Sequence, residues 1–196
     1  MALFYGDSFL RPEFISDTVK VFVENRLNLS VRFIGNSGCT SNQLIGEKGS
    51  IHSELKKSDN ALVFLSIGQN DISKIDLSEY SEAVAAHAFA TSFSEKVCCL
   101  SVKYPDKKFV VMPITLRNLG NRSPSAVARA NGVIKGIFSS EITCNCHPSN
   151  ILFVNPNFIH SAHGHKTLTV SDGVHLNLDG KKLWMHTTIS QFLKKF

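Results

Sequence analysis

The sequence predicts an α/β protein in three layers, α/β/α, around a doubly wound sheet of about five parallel strands. Two observations carry that prediction. Apolar runs of strand length lie at 2–5, 31–34, 61–67, 109–112 and 151–154. Between them apolar residues recur every three or four positions, the spacing of a helix face. Strands that are apolar throughout, rather than at alternate positions, belong to a parallel sheet covered on both faces.

The first run ends at Gly6-Asp7-Ser8, where glycine allows a sharp turn. Residues 9–13 read as the start of a helix with Pro12 in its first turn. Phe14, Ile15, Val19, Phe22, Val23 and Leu27 give that helix one apolar face. The second strand, 31–34, ends at Gly35-Asn36-Ser37-Gly38-Cys39-Thr40. A short helix over 51–57 leads to the third strand, which ends at Gly68-Gln69-Asn70-Asp71. Tyr80, Val84, Ala88, Phe93, Val97 and Leu100 predict a long helix over 78–102 with those side chains inward. Pro113 stops the fourth strand, and a helix over 125–138 precedes the fifth. A last helix over 179–193 places Leu183, Trp184, Ile189 and Phe192 in the core. No internal repeat, low-complexity tract or linker interrupts the pattern, so residues 1–196 read as one domain.

With 196 residues the chain can bury a substantial core, and 43% hydrophobic against 19% charged residues exclude a disordered protein. No apolar run approaches the roughly 18 residues of a membrane span. No secretory leader precedes the Gly6 turn, and so abrupt a start suggests a domain cut from a longer protein. Five cysteines, with Cys98 and Cys99 adjacent, argue against a disulfide framework and for a reducing, intracellular compartment. The net charge of +5 comes partly from lysine pairs at 56–57, 107–108, 181–182 and 194–195. Scattered pairs are a solvated surface, so nucleic-acid binding by this segment is not indicated.

In a doubly wound sheet, ligands bind beyond the carboxyl ends of the strands. Gly6-Asp7-Ser8, Asn36-Ser37-Gly38 and Gly68-Gln69-Asn70-Asp71 fall there, and Ser171-Asp172-Gly173-Val174-His175 precedes the last helix. Together they offer a hydroxyl, a backbone N–H on glycine, an amide side chain and an acid–imidazole pair. Those are the parts of acyl transfer: nucleophile, oxyanion donors, general base and orienter.

The four segments resemble, in order and spacing over essentially the whole chain, the SGNH hydrolases or GDSL-type esterases. Gly6-Asp7-Ser8 is similar to the first sequence block of that family and Gly38 to the second. Gly68-x-Asn70-Asp71 resembles the third, and Asp172-x-x-His175 the block near the C-terminus. Phe9 stands where the family name has leucine, and Cys39 follows the second-block glycine where a polar residue is frequent. The α/β-hydrolases fit poorly, because no Gly-x-Ser-x-Gly elbow is present. The resemblance implies a flavodoxin-like sheet and a serine esterase acting on a small acyl-ester substrate without a cofactor or metal. In it Ser8 is the nucleophile, His175 the base and Asp172 its orienter. The Ser8 and Gly38 N–H groups and the Asn70 side chain form the oxyanion hole, with Gly35 the alternative to Gly38. Asp7 and Asp71 hold loops by accepting from backbone N–H groups.

Each block has a plainer explanation: Asn70-Asp71 as a helix cap, Asp172-Gly173 as a tight turn, Gly-Asp-Ser as an ordinary turn. Four in order favour the esterase. The other class of function weighed is a recognition or structural module with little turnover. More loosely, the run Asp172 to Asn177 is similar to the esterase domain in first-reading-frame proteins of some non-LTR retrotransposons. Cys144, Cys146 and His147, with His160, His163 and His165 beyond, are zinc-ligand types. Cys-x-Cys is tighter than the usual ligand spacing, however, so a loop role is preferred to a metal.

Overall fold

The chain forms five parallel strands, β1 (Ala2–Gly6), β2 (Val31–Gly35), β3 (Leu62–Ser66), β4 (Lys108–Val111) and β5 (Ile151–Phe153). Their order across the sheet is β2-β1-β3-β4-β5. The computed structural model describes residues 1–57, 60–74, 81–114, 124–139, 149–155, 168, 170–171 and 175–195. The register sets Ala2 beside Val31 and Leu62, Leu62 beside Lys108, and Phe109 beside Ile151. Every residue of β1 and β3 is buried, which is why both runs are apolar throughout.

The helices are α1 (Asp17–Leu27), α2 (Ser41–Ile45), α3 (Ile51–Lys57), α4 (Gln69–Ser73), α5 (Glu82–Lys103), α6 (Pro124–Ser139) and α7 (Leu178–Lys195). Side chains alternate across a strand, so the sheet builds two cores. Leu3, Tyr5, Val63, Leu65, Phe109 and Val111 pack against residues of α2, α3, α5 and α6. Ala2, Phe4, Leu62, Phe64 and Val110 pack against α1 and α7, with the Phe4 ring 4.2 Å from that of Phe64 and 4.8 Å from that of Phe33. The result is the expected three-layer fold. Among the described residues, no helix is long and apolar enough to cross a membrane.

Three expectations need correction. The helix start at 9–13 is instead two 3-10 turns, Ser8–Leu10 and Pro12–Phe14. Pro12 holds the preceding Arg11 in extended backbone, φ −61° and ψ 136°, so a helix cannot run through it. Helix α1 begins only where the Ser16 hydroxyl accepts from the Val19 N–H at 3.4 Å. In α5 the buried face is Ala86, Ala90, Phe93, Val97 and Leu100, whereas Val84 is 53% exposed and Ala88 is exposed. At about 100° per residue, position 88 lies about 140° around from 93 and position 84 on the opposite side. Tyr80 lies outside the described residues. In α7, Leu183 is 37% exposed and the core is filled by Trp184, Met185 and Ile189.

Candidate active site

In the order β2-β1-β3, the chain leaves β1 in one direction for β2 and returns past it to β3. That reversal opens a crevice at the carboxyl ends of β1 and β3. Residues following both strands meet there.

Gly6 ends β1, and a Cβ on it would stand 1.9 Å from the Ser66 carbonyl oxygen of β3. Only glycine lets the two strand ends close up at this point. The Asp7 N–H then donates to that same Ser66 oxygen at 3.0 Å. Asp7 caps the Ser8–Leu10 turn: its Oδ1 accepts from the Phe9 N–H at 3.2 Å. The Asp7 carboxyl is fully buried, and its Oδ2 has no hydrogen-bond partner among the described residues. Burial pushes it up to about 7; repulsion from Asp71 adds to the rise and the Phe9 N–H opposes it.

Ser8, half-buried on this turn, brings its Oγ to 3.2 Å from His175 Nε2. The imidazole is carried by a segment that Val170 ties back, its N–H donating to the His175 carbonyl at 2.9 Å. Two positions further on, Asn177 caps α7, its Oδ1 accepting from the Gly180 N–H at 2.9 Å. With Nε2 toward Ser8, Nδ1 is the nitrogen left for an orienting acid. Asp172 lies outside the described residues.

The segment between β2 and α2 is held from several sides. The Asn36 N–H donates to the Gly6 carbonyl at 2.9 Å, Arg11 Nη1 to Ser37 Oγ at 2.8 Å, and Lys74 Nζ to the Gly38 carbonyl at 2.7 Å. Asn70 Nδ2 donates to the Cys39 carbonyl at 3.0 Å. An amide nitrogen carries two hydrogens, so one remains for an oxyanion. Asp71 accepts from the Ser41 N–H at 2.8 and 3.0 Å and from Ser41 Oγ at 2.7 Å. Asp7 and Asp71 thus hold loops as expected.

Gly35 and Gly38 differ in kind. A Cβ on Gly35 would stand 2.2 Å from the Arg11 nitrogen, so that glycine is needed for packing. Gly38 has open space around its Cα but a φ of +70°, so its glycine is needed for backbone shape. Among the described residues, neither the Ser8 nor the Gly38 N–H donates to a backbone carbonyl.

Sequence reasoning singled out Ser8, Gly38, Asn70 and His175; the structure brings Ser8 to His175, and Asn70 to the Cys39 carbonyl next to Gly38. It did not single out Arg11, Ser37 and Lys74 as supports, nor Phe14, whose ring lies 5.0 Å from that of His175. No local pattern marks these four, because each acts through a residue distant in sequence. Cys144, Cys146, His147, His160, His163 and His165 lie outside the described residues. Among those described, no group of three or more His, Cys, Asp or Glu could hold a metal ion.

This all-parallel sheet with helices on both faces is the fold of the SGNH hydrolases. Among solved structures, a psychrotrophic esterase from Pseudoalteromonas sp., inhibited by monoethylphosphonate, is 18% identical with a TM-score of 0.63, over 98% of each chain. An acetylxylan esterase from Geobacillus stearothermophilus is 16% identical with a TM-score of 0.61, over 99% of this chain and 92% of that one. Catalytic mutants of that enzyme replace a serine and an aspartate by alanine. No family model matches this sequence, and no curated protein does.

Proposed function

We propose that the protein is a serine esterase of the SGNH type that hydrolyses short-chain, acetyl-type esters through an acyl-enzyme. The observation that carries this reading is the 3.2 Å approach of Ser8 Oγ to His175 Nε2 at the β1/β3 crevice. A serine hydroxyl is a weak nucleophile until a base takes its proton, and neutral imidazole at this distance can do so. Ser8 Oγ attacks the ester carbonyl while its proton passes to Nε2. The Ser8 and Gly38 N–H groups and the Asn70 amide hold the oxyanion, each such donor being worth about 3 kcal/mol. The carbonyl re-forms, the C–O bond to the alcohol breaks, and Nε2 returns the proton to the departing oxygen. Water then repeats the sequence on the acyl-enzyme, releasing the acid and restoring Ser8. Asp172 would orient the imidazole through Nδ1 and stabilise the imidazolium.

Ser8→Ala should abolish hydrolysis of a model acetyl ester while leaving the thermal melt unchanged, and a phosphonate reagent should label Ser8 in the parent. Parent-like turnover by the alanine variant, or labelling elsewhere, would sink the nucleophile assignment. A short acyl group is favoured because the segments 116–123 and 155–170 are polar and rich in Asn, Ser and His. Segments of that composition supply few apolar side chains against which a long acyl chain could be buried, each buried methylene being worth about 0.8 kcal/mol. Across acetyl to palmitoyl esters, kcat/KM should peak at acetyl to butyryl and fall beyond about eight carbons. A steady rise to palmitoyl would exclude the short-chain preference.

A further inference from the structure

The imidazole of His175 packs against two aromatic rings, both supplied by the turns that follow the nucleophile. The Phe9 ring centroid lies 5.2 Å from that of His175 at an interplanar angle of 35°, and the Phe14 centroid lies 5.0 Å away at 29°. Neither ring is loose. Phe9, 3% exposed, meets Trp184 edge-on at 6.1 Å. Phe14 is half-buried; the Arg11 guanidinium lies 5.6 Å and Lys181 Nζ 5.7 Å from its ring centroid, and Lys181 Nζ also donates to the Phe14 carbonyl. Burial holds the Lys181 ammonium below the usual lysine range, which fits an amine tucked against this turn.

From this geometry we infer that Phe14, with Phe9, forms an aromatic seat that positions the His175 ring with Nε2 toward Ser8. Phe14 is a positioning residue, acting on the base and not on the substrate. The seat has work to do because His175 is not fully buried, and an imidazole able to change rotamer would swing Nε2 away from Oγ. A displacement of about 1 Å at a reacting group can cost about a hundredfold in rate. A flat ring parallel to the imidazole within about 30° limits that swing, whereas a branched aliphatic side chain of similar bulk does not present such a face.

The inference rests on the proposed esterase reading, so its test has a readout that needs no turnover. In the parent, the Phe9 and Phe14 ring currents displace the His175 Cε1 and Cδ2 proton resonances from free-histidine positions. Phe14→Leu should move those resonances back toward free histidine, with the thermal melt within a few degrees of the parent. The same variant should lower kcat about tenfold on an acetyl ester with KM within about twofold, and Phe14→Tyr should recover both readouts. Unmoved resonances in Phe14→Leu overturn the seat. Moved resonances with kcat unchanged, or no recovery by tyrosine, overturn its role in aligning the base. If Ser8→Ala retains full hydrolysis, the esterase reading fails by itself while the resonances still report whether the ring is seated.

Discussion

Asp7 is a carboxyl placed where water cannot reach it. Its carboxyl titrates at about 7 in the folded chain, against an ordinary 3.8. Between those values the unfolded chain has lost the proton and the folded chain keeps it. Stability therefore falls as pH rises from about 4 to about 7, by roughly 1.4 kcal/mol per unit at most. Asn at this position can still accept from the Phe9 N–H but does not titrate. The melting temperature of Asp7→Asn, relative to the parent, should be several degrees more favourable at pH 8 than at pH 5. A difference independent of pH would show that the buried carboxyl does not hold its proton. Nothing local in Gly6-Asp7-Ser8 foretells this: the burial is imposed by Ser66 and the close approach of β3. Ser8 and His175 stand out in the sequence as candidates because their chemistry is intrinsic to the residue types and their motifs are short, and the structure sets the two side chains 3.2 Å apart. Phe9 stands in the sequence as a departure from a family pattern, but nothing local foretells that its ring lies beside that of His175, which is distant in sequence.

Elements follow the same division. All five strands were legible to within a residue or two, because a strand buried on both faces leaves an unbroken apolar run. Helix α3 was legible to its ends. The helices α2 and α4 were missed: each is five residues of largely polar chain, held by capping and by bonds across the crevice rather than by an apolar face. Thr40 and Gln43 form a capping box at the start of α2, and Asp71 of α4 reinforces it by accepting from Ser41. Charged hydrogen bonds of this kind contribute about 1.5–3 kcal/mol. Asp71→Ala should therefore cost about 2 kcal/mol in a denaturant melt. It should also depress kcat on an acetyl ester, because the segment carrying Gly38 hangs between β2 and the anchored start of α2. A variant that loses stability but keeps the parent kcat would show that α2 can shift without disturbing that segment. In α5 the sequence was ambiguous: its alanines and small polar residues allow more than one apolar stripe, and the packed stripe runs through Ala86 and Ala90.

At the scale of the whole molecule, the alternation of strand and helix was enough to predict three layers, and the strand order β2-β1-β3-β4-β5 gives that alternation its crevice. The candidate nucleophile and base lie 167 positions apart in sequence, and the backbone of Phe14 is joined to Lys181 across the same separation. Contacts of such long range close late, because the entropy of a large loop must be overcome first. The proposed chemistry is therefore tied to the completion of folding. A growing polypeptide that has not yet reached residue 175 already holds Ser8, Gly38 and Asn70, but lacks the imidazole that the proposed chemistry would bring to them. On refolding, helical signal should return ahead of ester turnover.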